Sequence, residues 1–299
     1  MRFSKLLYVA TFSAITVLVG CETTPEQKPL RVLMIGNSFS ISCMTHIPKV
    51  AKALGLELDI TSMYIGGCSL QRHANNIVGA KDLDFRPYKI SRNWCGKDYF
   101  TECINNTDKS LYGSGYEDIM RNNIPQVLKE GDWDVVTIQQ ASGESWRPET
   151  YRPCGDLVVQ TIRELSPGAE IVVHQTWSYA LGEKRLKKWG ISQQEMFDKL
   201  CVAYRDFAAG YGFRIIPMGV AIQEWRKRLP VRGVEGELIR KDLYHLNDAG
   251  EYFQALLWTA FLFNVDVTPC AYRPESVSAD EAVLMKQIVK DLIKPAKCE

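Results

Sequence analysis

The feature that most constrains the fold of this sequence is the alternation of short apolar, β-rich runs with helical patterns. Strands are predicted over 30–35, 57–65, 133–138, 170–174 and 213–217. Helices are predicted over 47–54, 116–129, 157–165, 193–209 and 247–263. Such alternation is typical of a parallel sheet with helices on both faces. Five strands predict an α/β fold with a flavodoxin-like, doubly wound, five-stranded parallel sheet.

Polar residues and glycines follow several of the predicted strands. In open parallel sheets, ligands bind beyond the carboxyl ends of the strands, so these residues predict the site. The residues at these ends are Ser38, Gly66, Gly67, Gln139, Gln140, His174, Thr176 and Trp177. We expect His174, Thr176 and Trp177 to line a substrate cleft, although Trp177 could equally be a core aromatic.

The N-terminus has the pattern of an export signal. Arg2 and Lys5 precede an uncharged apolar run over 6–19, which is shorter than the roughly 20 residues that span a bilayer. The run ends in Leu-Val-Gly-Cys at Cys21, which resembles the bacterial lipobox. We predict a signal peptide over 1–20 and a tether over 21–29 that starts with a lipidated Cys21, an ordinary signal peptide or a tail anchor being the alternative.

The remaining residues, 30–299, predict one large domain, since their number suffices for a sizeable core. The predicted lipid anchor places this domain in the cell envelope, at the periplasmic or outer-membrane face. The formal net charge is +1, and without a basic stripe nucleic-acid binding has no electrostatic support.

The chain has nine cysteines, and export would permit disulfides. Cys95 with Cys103 is the first predicted pair, and Cys270 with Cys298 is the second. Cys43, Cys68 and Cys201 lie in apolar or helical contexts, where buried free thiols are an equally good interpretation.

A long segment after the second strand, over 71–115, has weak periodicity. Structureless loops of this length are often functional. Because the segment contains Trp94 and two cysteines, we predict a disulfide-pinned insertion over the site, a surface decoration being the alternative. Trp94, Trp146 and Trp177 could stack on a sugar ring.

Two motifs at opposite ends of the chain indicate nucleophilic catalysis. Ser38 follows a buried strand through Gly-Asn, which could also be a plain turn. Asp242 lies three residues before His245. A serine nucleophile needs a base, which histidine supplies, and a carboxylate fixes the tautomer of the histidine. Alternatively, Asn247 or Asp248 caps the last helix, and Asp242 and His245 are surface residues.

Together these segments resemble the SGNH, or GDSL-like, hydrolases. Residues 35–40, Ile-Gly-Asn-Ser-Phe-Ser, are similar to the first family block, which more often has Gly-Asp-Ser. Gly66 and Gly67 are similar to the second block, and 242–247 to the last, Asp-x-x-His. The resemblance covers roughly 30–263. It implies the SGNH hydrolase fold, no cofactor or metal, and a glycine amide in the oxyanion hole.

The third block departs from the family pattern of Gly-x-Asn-Asp, because the third strand ends in Gln139 and Gln140. The sequence is most similar to a divergent branch of unassigned function, common among lipoproteins of gut Bacteroidetes. A glutamine amide could replace the missing asparagine as oxyanion donor. Side chains alternate along a strand, so only one glutamine can face Ser38. We predict Gln140, with Gln139 hydrogen-bonded within the sheet edge.

The sequence therefore predicts a serine esterase that removes small acyl groups, acetyl above all, from a carbohydrate through an acyl-enzyme. Ser38 would be the nucleophile, His245 the base and Asp242 its orienting carboxylate. One alternative is a non-catalytic glycan-binding lipoprotein on the same fold. Another is a metal hydrolase using His174, His245 and Asp242, although these residues lack a common metal-ligand spacing.

Overall fold

The computed structural model describes residues 28–81, 85–94, 97–98, 121–228 and 236–294. These residues form a sheet whose eight strands are β1 Leu30–Gly36, β2 Leu58–Tyr64, β3 Tyr88–Trp94, β4 Lys97–Asp98, β5 Arg121–Asn122, β6 Val135–Ile138, β7 Glu170–His174 and β8 Arg214–Ile216. The predicted signal peptide and tether, including Cys21, lie almost wholly outside the described residues and stay predictions.

The sheet has a parallel core and an antiparallel edge. Its order is β4-β3-β2-β1-β6-β7-β8, with β5 also paired to β3. The five predicted strands form the core β2-β1-β6-β7-β8, and every neighbouring pair within it is parallel. The prediction of an α/β fold with a mostly parallel sheet is confirmed. The count of five is wrong for the whole sheet, because β3, β4 and β5 extend it past β2.

The burial of the central strand β1 on both faces explains why continuous apolar runs correctly predicted strands. Its residues Val32, Leu33, Met34 and Ile35 are all essentially inaccessible to solvent. A parallel strand covered on both faces takes apolar residues in succession rather than in alternation. The register pairs Ile35 with Met63 of β2 and with Ile138 of β6, so the carboxyl ends of these three strands meet at one edge.

Ten α-helices are found among the described residues. They are α1 Ser38–Ile41, α2 Ile47–Ala53, α3 Leu70–Gly79, α4 Ile124–Lys129, α5 Cys154–Leu165, α6 Lys184–Trp189, α7 Gln193–Ala209, α8 Met218–Arg228, α9 Asp248–Phe263 and α10 Ala279–Leu292. Helices α3, α4 and α5 contact one another, and α9 contacts both α2 and α10. Helices on opposite faces of a sheet produce two such groups.

The long helix α9 carries the C-terminal part of the core. Asn247 caps it, since the Asn247 side chain accepts a hydrogen bond of 2.9 Å from the Gly250 amide. Nearly every residue of α9 is buried, including the polar Gln254. The cap at Asn247 fixes where the helix starts, and it thereby fixes the loop before it, which carries Asp242 and His245.

The segment 71–115 is not the long loop that the sequence predicted. Its first part lies in helix α3, and 88–94 form strand β3, which pairs antiparallel with β2. The sequence did not predict this strand because β3 is stabilised by hydrogen bonds to β2, which lies far away in the sequence. Residues 95–96 and 99–115 lie outside the described residues, and the side chain of Trp94 does as well.

The described cysteines are free thiols. Cys43, Cys68 and Cys270 are buried, and Cys154 and Cys201 are half-buried. The predicted pairing of Cys270 is therefore not supported, while Cys95, Cys103 and Cys298 lie outside the described residues. Within the described ranges, no helix combines the length and apolarity needed to cross a membrane.

Candidate active site

The turn after β1 presents Ser38 at the carboxyl edge of the sheet. Asn37 is the N-cap of α1, and its Oδ1 accepts a 3.0 Å hydrogen bond from the Phe39 amide. The Asn37 carbonyl accepts from the Ser40 amide at 3.1 Å. A Cβ at Gly36 would collide with the Ser40 side chain, so the tight turn requires glycine there. Ser38 itself is half-buried and faces a cleft.

The structure brings Ser38, His245 and Asp242 into one hydrogen-bonded line. His245 Nε2 lies 2.8 Å from Ser38 Oγ, and His245 Nδ1 lies 2.8 Å from Asp242 Oδ2. Because a carboxylate only accepts, Nδ1 carries the ring proton and Nε2 is free to accept from the serine hydroxyl. This is the arrangement in which a histidine can remove the proton of a serine nucleophile.

The loop before α9 holds the Asp242 carboxylate in place. Its Oδ1 accepts from the amides of Tyr244 at 3.1 Å and of His245 at 3.0 Å. Burial alone would raise the pKa of Asp242, but hydrogen bonds from these amides and from the His245 ring outweigh it, so its pKa lies below the usual value. Leu243 between them has φ 68°, a strained conformation for this residue type. Its carbonyl accepts from the Ala180 amide at 2.8 Å.

The structure does not bring Gln140 to Ser38. Its Oε1 accepts from the amides of Leu70 and Ala141, and its Nε2 donates to the carbonyl and hydroxyl of Thr150. With both ends engaged and the residue fully buried, no donor of this side chain faces the cleft. The prediction of Gln140 as the oxyanion donor is therefore wrong. The Gln140 side chain instead connects the end of β6, by hydrogen bonds, with the start of α3 and with the turn at Thr150.

Gln139 is the glutamine that points towards the serine turn, so the predicted alternation was off by one residue. Its Nε2 donates to Asn37 Oδ1 at 2.5 Å, and its Oε1 lies 2.7 Å from His174 Nδ1. Only 1% of Gln139 is exposed. Its amide therefore supports the turn from beneath and does not reach the cleft surface.

The three residues expected to line the cleft are all inaccessible to solvent. His174, Thr176 and Trp177 are 0% exposed. Thr176 accepts from the Tyr204 hydroxyl at 3.2 Å. Trp177 donates to the Tyr244 carbonyl at 2.9 Å and stacks on Phe39 with ring centroids 4.2 Å apart. Trp177 therefore lies beneath the serine turn and the histidine loop and holds them together.

Backbone amides remain the candidate oxyanion donors. Within the described part of the chain, the amides of Ser38, Gly66 and Gly67 have no hydrogen-bond acceptor. Gly66 and Gly67 are exposed, and Gly67 has φ 59°. Asn37 Nδ2 donates to the Cys68 carbonyl at 2.9 Å, so one side chain connects the serine turn with the glycine turn.

A cleft of about 410 Å³ opens beside the serine. Sequence reasoning missed most of its lining, which comprises Ile41, Ser42, Thr45, Tyr64, Arg240, Leu246 and Glu251 besides Ser38 and His245. Arg240 and Glu251 form an ion pair, in which Glu251 is nearly buried and Arg240 is half exposed. Trp146 lies elsewhere, beside Trp189 and in a separate groove.

The residues of the predicted metal alternative do not assemble. His174 is buried against Gln139, whereas His245 faces Ser38. Among the described residues, ligand-type side chains cluster at His46, Asp248 and Glu251. There His46 Nε2 lies 2.9 Å from Asp248 Oδ1 and Nδ1 lies 2.7 Å from the Tyr272 hydroxyl. Both ring nitrogens are thus taken up by hydrogen bonds within the protein.

Comparison with known proteins identifies the family. Residues 31–292 match the family described as a domain of unknown function, DUF4886. A crystal structure of a DUF4886 family protein from Bacteroides uniformis ATCC 8492 is 27% identical, with a TM-score of 0.74. The alignment covers 91% of this chain and 98% of that one. No curated protein matches the sequence.

A second solved structure indicates the wider fold group. It belongs to a protein from Slackia heliotrinireducens proposed to be an SGNH hydrolase. It is 22% identical, with a TM-score of 0.50, and the alignment covers 77% of this chain and 97% of that one. At this identity the similarity concerns the fold, which is the one that the sequence motifs implied.

Proposed function

We propose a serine-esterase activity for this chain, which belongs to the DUF4886 family. The observation that carries the proposal is the line of hydrogen bonds from Ser38 Oγ through His245 to Asp242, with both distances 2.8 Å. A serine hydroxyl donating to an imidazole whose other nitrogen faces a carboxylate is suited to acyl transfer.

In the first step, His245 Nε2 accepts the hydroxyl proton as Ser38 Oγ attacks the carbonyl carbon of the ester. The carbonyl oxygen becomes an oxyanion, which we assign to the amides of Ser38 and of Gly66 or Gly67. The protonated His245 is stabilised by the Asp242 carboxylate. When the tetrahedral intermediate collapses, the bond to the alcohol oxygen breaks, and that oxygen takes the proton from His245 Nε2.

In the second step, a water molecule attacks the acyl-enzyme. His245 Nε2 accepts one proton of this water, and the same amides hold the second oxyanion. Collapse breaks the bond between the acyl carbon and Ser38 Oγ, and the proton returns to the serine. The products are the carboxylic acid and the free alcohol, and the residues named suffice for each proton transfer.

For the substrate, we propose a small acyl ester of a carbohydrate, acetyl above all. The cleft beside Ser38 is supported as a site for a polar alcohol by hydroxyl groups at Ser42 and Thr45 and by the Arg240–Glu251 pair. This pair offers hydrogen-bond donors and acceptors without a net charge, and both can bind the hydroxyl groups of a sugar. The hydroxyls of Ser42 and Thr45 likewise favour a sugar over a long aliphatic chain.

The test is release of acetate from a panel of acetylated glycans, followed with and without a chelator. We expect chelator-insensitive release that Ser38→Ala abolishes, while Ser142→Ala, a serine bonded to Tyr179 outside the cleft, retains it. Binding of deacetylated glycans without any acetate release would favour the glycan-binding alternative instead. Loss of activity with the chelator would favour a metal-dependent reaction.

We also propose that the protein is held in the cell envelope by a lipid on Cys21. The support is the charged start, the short apolar run and the Leu-Val-Gly-Cys ending. Cys21→Ser should move the protein from the detergent fraction to the aqueous fraction. An unchanged distribution would mean that another segment anchors the chain.

A further inference from the structure

The serine turn rests on a closed circuit of buried polar groups that the reaction itself does not use. Starting from the Phe39 amide, it passes through the side chains of Asn37, Gln139, His174 and Gln254. It ends at the Phe39 carbonyl, which accepts from Gln254 Nε2 at 2.8 Å. The circuit thus begins and ends at the residue that follows Ser38.

Each amide in the circuit has one orientation that satisfies all its partners. Two backbone groups fix the orientation of the Asn37 side-chain amide, since Oδ1 faces the Phe39 amide and Nδ2 faces the Cys68 carbonyl. Gln139 must then donate to Asn37 Oδ1 and present Oε1 to His174. A flipped amide would place two donors or two acceptors together in a dry interior, which is costly.

His174 is the group on which this ordering depends. Because Gln139 Oε1 accepts, His174 Nδ1 carries the proton, and the bare Nε2 faces Gln254 Nε2 at 3.4 Å. Gln254 in turn accepts from Ser42 Oγ at 2.6 Å. The His174 ring is held edge-on against Trp258, with centroids 4.9 Å apart, so it cannot turn over without repacking the core.

We propose that His174 is a positioning residue of the esterase site, whose neutral, Nδ1-protonated ring fixes the amide circuit that aligns Ser38 with the glycine turn. The inference rests on the proposed function. The circuit holds the peptide groups on both sides of Phe39, and Asn37 extends it to Cys68 beside Gly67. Through the Asn37 side chain and the Phe39 backbone it holds the residues on both sides of Ser38, and through Cys68 the residue after Gly67, so it positions the amides that we assign to the oxyanion without touching the substrate.

The imidazole is neutral throughout the working range, since complete burial lowers the pKa of His174 to about 3. The partners that face it are the uncharged Gln139, Gln254 and Trp258. A group that keeps one protonation state can act as a fixed hydrogen-bond donor. This distinguishes His174 from His245, which must change protonation state in every cycle.

The first experiment compares His174→Asn with His174→Gln. The Asn amide nitrogen lies where Nδ1 was and can still donate to Gln139, whereas the longer Gln reaches towards the former Nε2. With aryl acetate, we expect kcat of His174→Gln to fall roughly tenfold to a hundredfold with little change in KM, as for a small misplacement of reacting groups. His174→Asn should recover most of the lost kcat.

Stability should rank the same two variants in the opposite order. Asn leaves a larger void than Gln in the core, so His174→Asn should have the lower Tm. If His174 were merely structural, the less stable variant would also be the less active. Equal kcat values, or a more active His174→Gln, would overturn the proposal.

The second experiment uses the wild-type protein and needs no variant to fold. Nitrogen-15 NMR of the histidine rings should show His174 protonated at Nδ1 and unchanged between pH 5 and 8. A ring protonated at Nε2, or one that titrates in this range, would break the circuit and overturn the proposal. Wild-type protein without Ser38-dependent hydrolysis would instead overturn the esterase assignment on which the proposal rests.

Discussion

His245 and His174 lie on two sides of the same serine turn and have opposite surroundings. His245 is partly exposed, and its Nδ1 faces the carboxylate of Asp242. His174 is fully buried, and its Nδ1 faces the amide oxygen of Gln139. In both rings Nδ1 carries the proton, but the Nε2 of His245 faces Ser38 Oγ whereas the Nε2 of His174 faces Gln254, and only His245 has a negative partner.

The partner of Nδ1 and the exposure to solvent therefore decide whether each imidazole can carry a positive charge. A positive charge on His245 is stabilised by Asp242, so that ring can hold a proton during the reaction. A charge on His174 would have no counter-ion in a dry interior, so that ring stays neutral. One histidine moves a proton, and the other fixes a hydrogen-bond pattern.

Asp242→Asn removes the main difference between the two histidines, because it gives His245 a neutral partner like that of His174. The Tyr244 and His245 amides keep an oxygen at the Oδ1 site, so the new amide nitrogen faces His245 Nδ1. The ring must then carry its proton on Nε2 and cannot accept from Ser38. We expect kcat for aryl acetate to fall roughly ten-thousandfold. Asp248→Asn, in the other His–Asp pair, is the control and should leave kcat unchanged.

The buried histidine should be visible in the pH dependence of stability. The pKa of His174 is lowered from 6.5 to about 3 on folding, so between these values the unfolded chain binds a proton that the native chain does not. Burial of the neutral His174 ring therefore costs no free energy of unfolding above pH 6.5. As the pH falls from 6.5 towards 3, protonation of His174 in the unfolded chain progressively lowers the free energy of unfolding. In His174→Asn the slope of unfolding free energy against pH should be smaller by up to about 1.4 kcal/mol per pH unit.

Urea unfolding at several values between pH 4 and 6.5 measures this slope. His73→Asn is the matched control, since burial also lowers the pKa of His73 to about 3. It should reduce the slope by a similar amount. A His174→Asn protein with the wild-type slope would show that His174 is not a buried neutral ring.

The smallest effect concerns Gln140, which lies next to the circuit but outside it. Gln140→Ala leaves the Leu70 and Ala141 amides and Thr150 without their partner. We expect a loss of about 1–3 kcal/mol in unfolding free energy, with kcat per folded molecule unchanged. Chemical denaturation and active-site titration together measure the two effects. A large loss of kcat at wild-type stability would instead show that Gln140 does donate to the oxyanion.

The parallel core could be predicted from sequence because its information is local. Strand β1 contains the apolar run 32–35, and Ser38 follows the end of the strand after a single residue, Asn37. The Asp242–His245 spacing likewise lies within a single loop. The antiparallel strand β3 was missed because its pairing partner β2 was needed to recognise it, and its own residues include Lys89, Ser91 and Arg92.

The roles of the two glutamines could not be predicted, for a different reason. Alternation beyond the end of β6 correctly implied that the two side chains point in different directions, but neither reaches the cleft at Ser38, and the partners of each are distant residues. Gln139 meets Asn37 and His174, and Gln140 meets Leu70 and Thr150. The amide side chain of Gln254 within the apolar helix α9 was a local signal of a buried network.

Covalent labelling with a fluorophosphonate, followed by intact-mass measurement and peptide mapping, tests most directly whether Ser38 is an activated nucleophile. We expect one adduct per molecule, located on Ser38, absent from Ser38→Ala and formed much more slowly in Asp242→Asn. The Ser142→Ala control should be labelled like the wild type. Folded wild-type protein that stays unlabelled, or that is labelled at a different residue, would contradict the assignment of Ser38 as an activated nucleophile.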